Sequence, residues 1–531
     1  EALAEEIPGA RREWPFRAPH FSQELVARYP EEARIYTTID WDLQVFLEDL
    51  LALEVAKLKA EGITNGAAVV IDNQTHQLLA AVGSAEFFNE QDQGQVNGYL
   101  APRSPGSTLK PFVYALALEK GLITPAHYVE DVPVLYSGYS PENYDSTYSG
   151  LVSAQEALQR SLNVPAVNLL AALGGEALYE LLKKAGFTTL TPVNHYGLPM
   201  VLGGCEVNLL ELTNLYAALA GGKIYPVRTR LGQGATPPIP LFSPGVAYVI
   251  TEILTEVRRP DLPTCWEFTT LPKVAWKTGT SYGHKDAWSI GYNPRYTVGV
   301  WVGNFSGVGR AGLNGAEKAA PLLFTIFAHL NSNTTVSWFA PPATVKKRTV
   351  CAVSGQTPGL FCTTLRADYY LADCSPDVEC TIHQTYLLDP ATGYRLPPHY
   401  YSAARATEER VYLKYPPRVA AWLEANGQPV ETLPPLLPEW QKILPGGAPV
   451  VRSPSPDYVY QIRRGIPLEY QKICLEAAAD NDVQCLYWFI DGEFYGHAKP
   501  GERLFYVPNP GRHRVICQDD RGRSTEVKLE I

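Results

Sequence analysis

The sequence predicts an α+β fold, in which helices cover an antiparallel sheet, followed by a small C-terminal β-sandwich of immunoglobulin-like type. Short apolar runs typical of strands occur within residues 67–82 and again within 274–302, and the segment between them has a mostly helical pattern. Strands at both ends of a helical segment pack most simply as one sheet. After residue 457, short strands alternate with turn residues, which favours the sandwich.

The first elements follow from periodicity and capping. Residues 1–36 are mixed in character and contain prolines, which indicates a linker. Asp40 can then cap a helix that runs to about Ala60 with an apolar stripe. The apolar runs 67–71 and 78–82 lie on either side of a polar turn and therefore predict a β-hairpin.

The remaining elements divide the chain further. A helical pattern from Ser107 to about Leu219 contains loops near 131–150 and 190–205, and strands return at Val274–Thr280, Ala287–Tyr292 and Thr297–Val302. Cysteines and prolines are concentrated in 346–456, which indicates a connector. Later strands are predicted at Leu486–Ile490, Leu504–Val507, His513–Cys517 and Thr525–Ile531. We therefore expect a main domain at 37–345, a connector at 346–456 and the β-sandwich at 457–531.

Length and charge exclude some classes of protein. A chain of 531 residues can build at least one large core, and 46% hydrophobic with 19% charged residues is ordinary globular composition. The net charge of −10 argues against nucleic-acid binding, which usually needs a basic surface. No apolar run approaches the roughly 20 residues that span a bilayer.

Three short motifs could carry chemistry. Ser107 and Lys110 lie one helical turn apart, so the lysine amine can reach a serine hydroxyl that needs a base to become nucleophilic. Ser161 and Asn163 form a second motif. The third, Lys277-Thr278-Gly279-Thr280, lies on a predicted strand, where a cation beside a hydroxyl suits a substrate carboxylate. Any one of these short motifs can occur by chance in a long chain. The set of three in this order is found in penicillin-interacting serine enzymes.

The residues around these motifs resemble the bifunctional, class A penicillin-binding proteins, and among them the 1C-like subtype. The resemblance rests on the segments Arg103–Tyr114, Pro141–Asp145, Ala157–Pro165 and Lys277–Tyr292, together with Thr37–Gln44. It covers about residues 10–340 and 450–531, with the connector matching least. The resemblance implies a penicillin-recognising transpeptidase fold whose antiparallel sheet has five strands.

The resemblance also implies a role for each motif residue. Ser107 would attack the D-Ala-D-Ala carbonyl of a peptidoglycan stem peptide, and Lys110 would act as the base. Ser161 would relay a proton to the leaving group, and Asn163 would bind the substrate amide. Lys277 and Thr278 would hold the terminal carboxylate. The Gly279 position allows close approach, and the backbone N–H groups of Ser107 and Thr280 would form the oxyanion hole.

The setting follows from the same resemblance. It implies the periplasmic face of the bacterial inner membrane, with a membrane helix and a glycosyltransferase domain expected in the parent but outside this chain. Stem peptides are the expected substrates and β-lactams the expected inhibitors, and no cofactor is implied. Cell-envelope proteins are expected partners of the C-terminal domain.

The nine cysteines suggest a covalent or metal-bound region because seven of them follow residue 350. Cys351, Cys362, Cys380 and His383 are candidate metal ligands, but only Cys380 and His383 have the close spacing typical of structural zinc sites. An envelope location permits disulfides. We therefore expect disulfides here and no metal.

Two alternatives to a transpeptidase remain open. The same fold could serve a D,D-carboxypeptidase or a β-lactamase-like hydrolase, although the extra C-terminal domain argues against a free-standing β-lactamase. A non-catalytic envelope scaffold is the third hypothesis, and the intact Ser107, Lys110, Asn163 and Lys277 argue against it. Labelling with a fluorescent penicillin separates the three.

Overall fold

The computed structural model describes residues 16–136, 139–234, 236–260, 271–332, 336–397, 406–438, 447–455, 460–463, 467–480 and 483–531. The chain forms two compact units: unit 1 comprises Glu1–Leu116 and Leu173–Pro342, and unit 2 comprises Ala117–Ala172 and Ala343–Ile531. Within the described residues, no helix is both long and apolar enough to cross a membrane.

The regular elements in the described ranges are as follows. The α-helices are α1 (Pro19–Arg28), α2 (Trp41–Leu58), α3 (Lys110–Glu119), α4 (Ala154–Gln159), α5 (Asn163–Leu173), α6 (Ala177–Lys184), α7 (Leu209–Ala217), α8 (Pro244–Thr255), α9 (Ala320–Leu330) and α10 (Pro417–Ala425). The strands are β1 (Asn65–Asp72), β2 (Gln77–Val82), β3 (Tyr128–Asp131), β4 (Gly150–Ser153), β5 (Lys223–Ile224), β6 (Ile239–Pro240), β7 (Ala275–Thr280), β8 (Asp286–Tyr292), β9 (Tyr296–Gly303), β10 (Val345–Cys351), β11 (Leu365–Leu371), β12 (His383–Leu388), β13 (Glu408–Leu413), β14 (Val450–Ser453), β15 (Ile473–Ala478), β16 (Leu486–Ile490), β17 (Glu493–Ala498), β18 (Leu504–Tyr506), β19 (Arg512–Asp519) and β20 (Ser524–Glu530).

Unit 1 is built on a five-stranded antiparallel sheet with the order β2-β1-β9-β8-β7. The N-terminal hairpin joins the C-terminal strands through the pairing of β1 with β9, in which Val69 lies opposite Gly299. This is the sheet that the sequence predicts, and it confirms the fold class. Strand β7, which carries the Lys-Thr-Gly motif, is an edge strand of this sheet.

Helices cover both faces of this sheet. The Asp40 carboxylate accepts a hydrogen bond from Leu43 N at 3.0 Å and so caps α2. Buried side chains of α2 and α9 share one core with alternate residues of β1 and β9: Leu47, Leu51, Val55, Leu323, Phe327, Ala68, Val70, Val298 and Val300. On the opposite face, a side chain at Gly299 would collide with Thr213 of α7, so the glycine lets helix and sheet pack closely.

The predicted linker contains a packed helix. Helix α1 buries Phe21 and Leu25. Arg17, just before it, pairs with Glu48 and Asp49 at 3.0 Å each. Residues 1–15 lie outside the described ranges, and the interpretation of residues 1–36 as a linker stays a prediction.

The connector, within unit 2, is folded. It contains the hairpins β10–β11 and β12–β13 and the helix α10. Leu388, Tyr412 and Leu433 form a small core of its own. Tyr128 N donates to Ser354 O at 3.0 Å, so the connector also holds strand β3.

The C-terminal strands of unit 2 form a two-sheet sandwich. One sheet has the order β14-β15-β18 and the other β17-β16-β19-β20, and both sheets contribute to a shared core. In β16, Leu486, Trp488 and Ile490 are buried and the residues between them are half-buried, as alternation predicts. The sandwich begins with β14, before residue 457.

Candidate active site

Ser107 lies in a single 3₁₀ turn, Gly106–Leu109, that leads directly into α3. Its side chain is partly exposed, whereas Thr108 in the same turn and Lys110, the first residue of α3, are fully buried, each at 0% exposed. A hydroxyl that solvent and substrate can reach therefore stands one helical turn from a buried amine. This is the arrangement that the sequence spacing predicts for a nucleophile and its base.

The Lys-Thr-Gly strand packs against this turn. A side chain at Gly279 would collide with Pro105 O and would lie 2.6 Å from Thr108 Cγ2. Gly106 has a φ of +53°, and a side chain there would lie 2.8 Å from Thr280 N. Two glycines therefore permit the backbones of the turn and of β7 to touch. The structure brings Ser107, Lys110 and the 277–280 segment together within unit 1.

Lys277 is the second buried amine of this region. Its side chain is 2% exposed, and burial lowers the pKa of its ammonium to about 7. The Nζ atom donates to Thr278 O at 3.0 Å. At the end of β7, Thr280 Oγ1 accepts a hydrogen bond from Gly315 N at 3.1 Å, which fixes this end of the strand. Lys277 can therefore present a cation whose charge responds to pH near neutrality.

Hydrogen bonds from three elements hold the nucleophile turn. Trp288 Nε1 of β8 donates to Ser104 O at 2.8 Å, and Ser104 Oγ donates to Gly203 O at 2.8 Å. From α7, Tyr216 OH donates to Thr108 O at 2.5 Å. The sequence motifs give no sign of Gly203 or Tyr216, because their contribution depends on contacts distant in the chain.

The 103–108 segment is anchored on its other side by an arginine. Arg103 exchanges backbone hydrogen bonds of 2.9 Å with Val207, and its guanidinium lies 5.4 Å from the centre of the Trp301 ring. Trp301 Nε1 in turn donates to Asp286 at 3.0 Å. Burial raises the pKa of the Asp286 carboxyl. Arg103, Trp301 and Asp286 thus hold this end of the sheet against the 103–108 segment.

The Ser-x-Asn motif lies in unit 2, at the start of α5. Ser161 has a φ of +59°, which is unusual for a residue with a side chain. Asn163 N donates to Asn143 Oδ1 at 2.7 Å, and Asn163 Nδ2 donates to Glu142 O at 2.6 Å. The side chains of Ser161 and Asn163 are partly exposed, so both can meet a substrate.

The side chain of Asn143 holds the Ser-x-Asn motif in place. It is 4% exposed, and its Nδ2 donates to Asp131 Oδ1 at 2.7 Å and to Thr147 O at 2.8 Å. Burial raises the pKa of the Asp131 carboxyl, while hydrogen bonds from Asn143 and Ser149 act in the opposite direction. The sequence marks Asn143 only as part of the 141–145 resemblance. The structure adds that it holds the backbone of Asn163.

One buried cysteine of unit 1 is unreactive. Cys205, which follows Gly203 and Gly204, is 5% exposed, and burial raises the pKa of its thiol to about 12. A thiol that stays protonated is a poor nucleophile.

Two family models match the chain. Residues 66–323 match the penicillin-binding protein transpeptidase domain, and residues 441–529 match the penicillin-binding protein C-terminus family. The first range contains every motif residue described above, from Ser107 to Thr280. The second contains the C-terminal sandwich strands apart from Glu530, the last residue of β20.

Individual relatives agree with these matches. The chain is 37% identical over 365 residues to penicillin-binding protein 1C of Escherichia coli, covering 67% of this chain and 46% of that protein. It is 32% identical over 288 residues to penicillin-binding protein 1A of Neisseria lactamica, covering 48% of this chain and 34% of that protein. The chain therefore spans less than half the length of these relatives.

A solved structure shows the same fold. The crystal structure of penicillin-binding protein 1A from Haemophilus influenzae superposes with a TM-score of 0.59 at 17% sequence identity, covering 71% of this chain and 79% of that chain. Together with the two domain matches and the 37% identity to penicillin-binding protein 1C, this likeness agrees with the motif geometry. The chain belongs to the penicillin-binding proteins that carry a transpeptidase domain and a penicillin-binding protein C-terminal domain.

Proposed function

We propose that this chain is a serine D,D-transpeptidase that cross-links peptidoglycan stem peptides and is acylated by penicillin. The observation that supports it most strongly is the contact between Gly106 and Thr280, which sets the Ser107 turn beside the Lys-Thr-Gly strand. Acyl transfer by serine needs a nucleophile, a base and hydrogen-bond donors for an oxyanion at one place. Unit 1 supplies candidates for all three.

In the first step, Ser107 Oγ attacks the carbonyl carbon of the D-Ala-D-Ala bond while Lys110 accepts the hydroxyl proton. The carbonyl oxygen becomes an oxyanion, and the backbone N–H groups of Ser107 and Thr280 donate to it. When the C–N bond breaks, the terminal D-Ala leaves as an amine that takes up one proton. A serine ester of the shortened peptide remains.

Substrate binding uses the neighbouring groups. Protonated Lys277 and the Thr278 hydroxyl would hold the terminal carboxylate, since a charge-assisted hydrogen bond is stronger than a neutral one. In unit 2, Asn163 would bind the peptide amide, and Ser161 would pass the proton to the leaving amine. Two hydrogen bonds support this role before substrate arrives: the one to Asn143 Oδ1 holds the backbone of Asn163, and the one to Glu142 O orients its side chain.

The second step regenerates the serine. An amine from another stem peptide attacks the ester carbonyl, forms a new C–N bond and releases Ser107 with a proton. If water attacks instead, the same enzyme is a D,D-carboxypeptidase, and rapid hydrolysis of a penicillin ester would make it a β-lactamase. A β-lactam opens its ring on attack and keeps its nitrogen attached, so the adduct should persist.

Labelling of the whole chain tests the proposal. Fluorescent penicillin should label the protein stably, and mass spectrometry should map the adduct to Ser107. Ser107→Ala should abolish labelling, Lys110→Ala should slow it by about 100-fold or more because the base is lost, and exposed Ser332→Ala should not change it. An adduct on another residue, or labelling of folded Ser107→Ala, would overturn the proposal.

The cellular setting belongs to the same proposal. Peptidoglycan cross-linking would place the chain on the periplasmic side of the inner membrane. The C-terminal sandwich would take no direct part in acylation. Its exposed aromatic side chains, Phe494 and Phe505, support an interaction role with envelope proteins.

A further inference from the structure

Four metal-ligating side chains meet in the connector, far along the chain from the motifs of acyl transfer. Cys351 ends β10, Cys362 precedes β11, Cys380 lies three residues before β12, and His383 is the first residue of β12. One ligand atom from each lies within 4.8 Å of every other. We call these four residues the Cys₃His cluster.

The distances within the cluster fit a tetrahedral zinc ion. His383 Nδ1 lies 3.5 Å from Cys351 Sγ, 3.6 Å from Cys362 Sγ and 3.4 Å from Cys380 Sγ. Zinc bonds of about 2.3 Å to sulfur and about 2.05 Å to nitrogen, at tetrahedral angles, separate the two ligand atoms by about 3.6 Å. All three sulfurs converge on one nitrogen at this separation.

Disulfides, which the expected envelope location permits, do not account for the cluster. The described cysteines, these three among them, are not bridged. A disulfide would also join only two of the three sulfurs and would leave the third and the imidazole without a role. Three sulfurs and one imidazole nitrogen form a complete four-ligand set for zinc.

The loops are shaped to present these ligands. Cys351 N donates to Gln356 O at 2.9 Å, and Cys380 N donates to Thr357 O at 2.8 Å, so both cysteines lie against one turn. The Gln356 side chain accepts from Thr381 N at 2.9 Å and ties the two segments together. Ser354 Oγ donates to Cys380 Sγ at 3.2 Å, and a hydrogen bond of this kind orients a metal ligand.

We propose that the Cys₃His cluster binds one structural zinc ion. Binding would convert three thiols to thiolates and release three protons, and the neutral imidazole would supply the fourth bond, so that the site carries a net charge of about −1. No electron transfer is involved. Because four protein ligands fill the tetrahedron, no position remains for water or substrate, and the role is structural.

This zinc would stabilise the support of the Ser-x-Asn motif. Ser354, in the turn between the ligands, accepts from Tyr128 N at 3.0 Å at the start of β3. At the other end of β3, Asp131 binds Asn143, which holds Asn163. All of these residues belong to unit 2. A loss of zinc should therefore loosen the segment from residue 128 to residue 163.

Metal analysis of the full chain tests the inference. Protein purified without chelator should contain about one zinc ion per chain by elemental mass spectrometry. Cys380→Ser and Cys362→Ser should lose it, whereas Cys474→Ser, a partly buried cysteine of β15, should keep it. Removal of zinc with a chelator should lower the melting temperature of the wild type and leave that of Cys380→Ser unchanged.

A cobalt experiment covers the case in which the variants do not fold. Cobalt(II) added to the chelated wild type should give the strong visible bands of a tetrahedral thiolate complex, and zinc should displace them. Protein that takes up neither metal would overturn the inference. So would a peptide map of non-reduced protein that shows two of the three cluster cysteines joined in a disulfide.

Discussion

Replacing Lys277 with methionine should stabilise the protein while it impairs the reaction. Burial lowers the pKa of Lys277 from an ordinary 10.5 to about 7, so the folded chain holds a proton at this site less tightly than the unfolded chain. At about 1.36 kcal/mol per pH unit, the cationic side chain disfavours folding by up to about 5 kcal/mol at pH 6. Lys277→Met keeps the unbranched stem and removes that cost.

The sign of the pH dependence follows from the same linkage. Between pH of about 7 and 10.5 the unfolded state binds more protons, so the wild-type free energy of unfolding rises with pH in this window. The stabilisation by Lys277→Met should therefore be about 5 kcal/mol at pH 6 as an upper limit, and about 2 kcal/mol at pH 9. Urea denaturation at both pH values measures this stabilisation. The control is Lys184→Met at an exposed lysine, which should leave the free energy of unfolding unchanged at pH 6 and at pH 9.

The rate of penicillin acylation should fall in Lys277→Met, although the stability of the variant rises. A lost charge-assisted hydrogen bond to a carboxylate costs about 1.5–3 kcal/mol, so Lys277→Met should slow penicillin acylation by about 10- to 100-fold. In the wild type, acylation efficiency should fall as pH rises above about 7, because the free enzyme loses the cation. Lys277→Arg should not show that fall, since arginine stays protonated. Equal stabilisation at pH 6 and pH 9, or wild-type acylation by Lys277→Met, would refute the reasoning.

Two further predictions concern close packing. Gly279→Ala should slow acylation at least 10-fold and destabilise unit 1 by about 1–3 kcal/mol, because the added methyl group overlaps Pro105 O and Thr108 Cγ2. Gly175→Ala, which has open space around it, should do neither, and normal acylation by Gly279→Ala would contradict the packing argument. In limited proteolysis, the hairpin from β10 to β11 should resist cleavage under native conditions, and a rapid cut there with an intact unit 1 would show that it is mobile.

Much of unit 1 could be predicted because its signals are local. The five strands are short apolar runs between turn residues, and α2 begins at a capping aspartate. Helix α1 could not be predicted in this way. Its prolines and mixed composition indicate a linker, and the helix depends on the burial of Phe21 and Leu25 in tertiary contacts.

The strands of the C-terminal domain also differ in how well the sequence predicts them. Strand β16 alternates clearly and was predicted with its observed bounds. Strand β15 contains Glu476, Ala477 and Ala478, a composition that favours helices, and only its pairing with β14 and β18 makes it a strand. Residues 456–459, at the predicted start of the domain, lie outside the described ranges.

Non-local contacts also limited the prediction of sites. The Ser107, Lys110 and 277–280 motifs were recognised because their order and spacing are characteristic, yet Tyr216 and Gly203, which hold the turn, carry no such mark. The Cys₃His cluster is hard to predict from the sequence for a related reason. Two of its ligands, Cys351 and Cys362, are 11 residues apart along the chain and are brought together by the hairpin that joins β10 to β11.

Variants of Ser161 test whether the hydroxyl of this strained residue takes part in acylation. A non-glycine residue at a φ of +59° costs about 1 kcal/mol or more, which glycine would avoid. Ser161→Ala and Ser161→Gly both remove the hydroxyl, so both should slow acylation by about 100-fold if that hydroxyl relays a proton. Only Ser161→Gly should also relieve the strain, and it should be about 1 kcal/mol more stable than Ser161→Ala.

The control for this pair lies in the same unit. Ser146 is exposed and also has a positive φ, of +56°. Its alanine and glycine variants should differ in stability by a similar amount and should acylate like the wild type. If Ser161→Ala acylates normally, the hydroxyl has no role in the reaction. If both Ser161 variants acylate about 100-fold more slowly, the need for the hydroxyl explains why a serine occupies a position where glycine would be more stable.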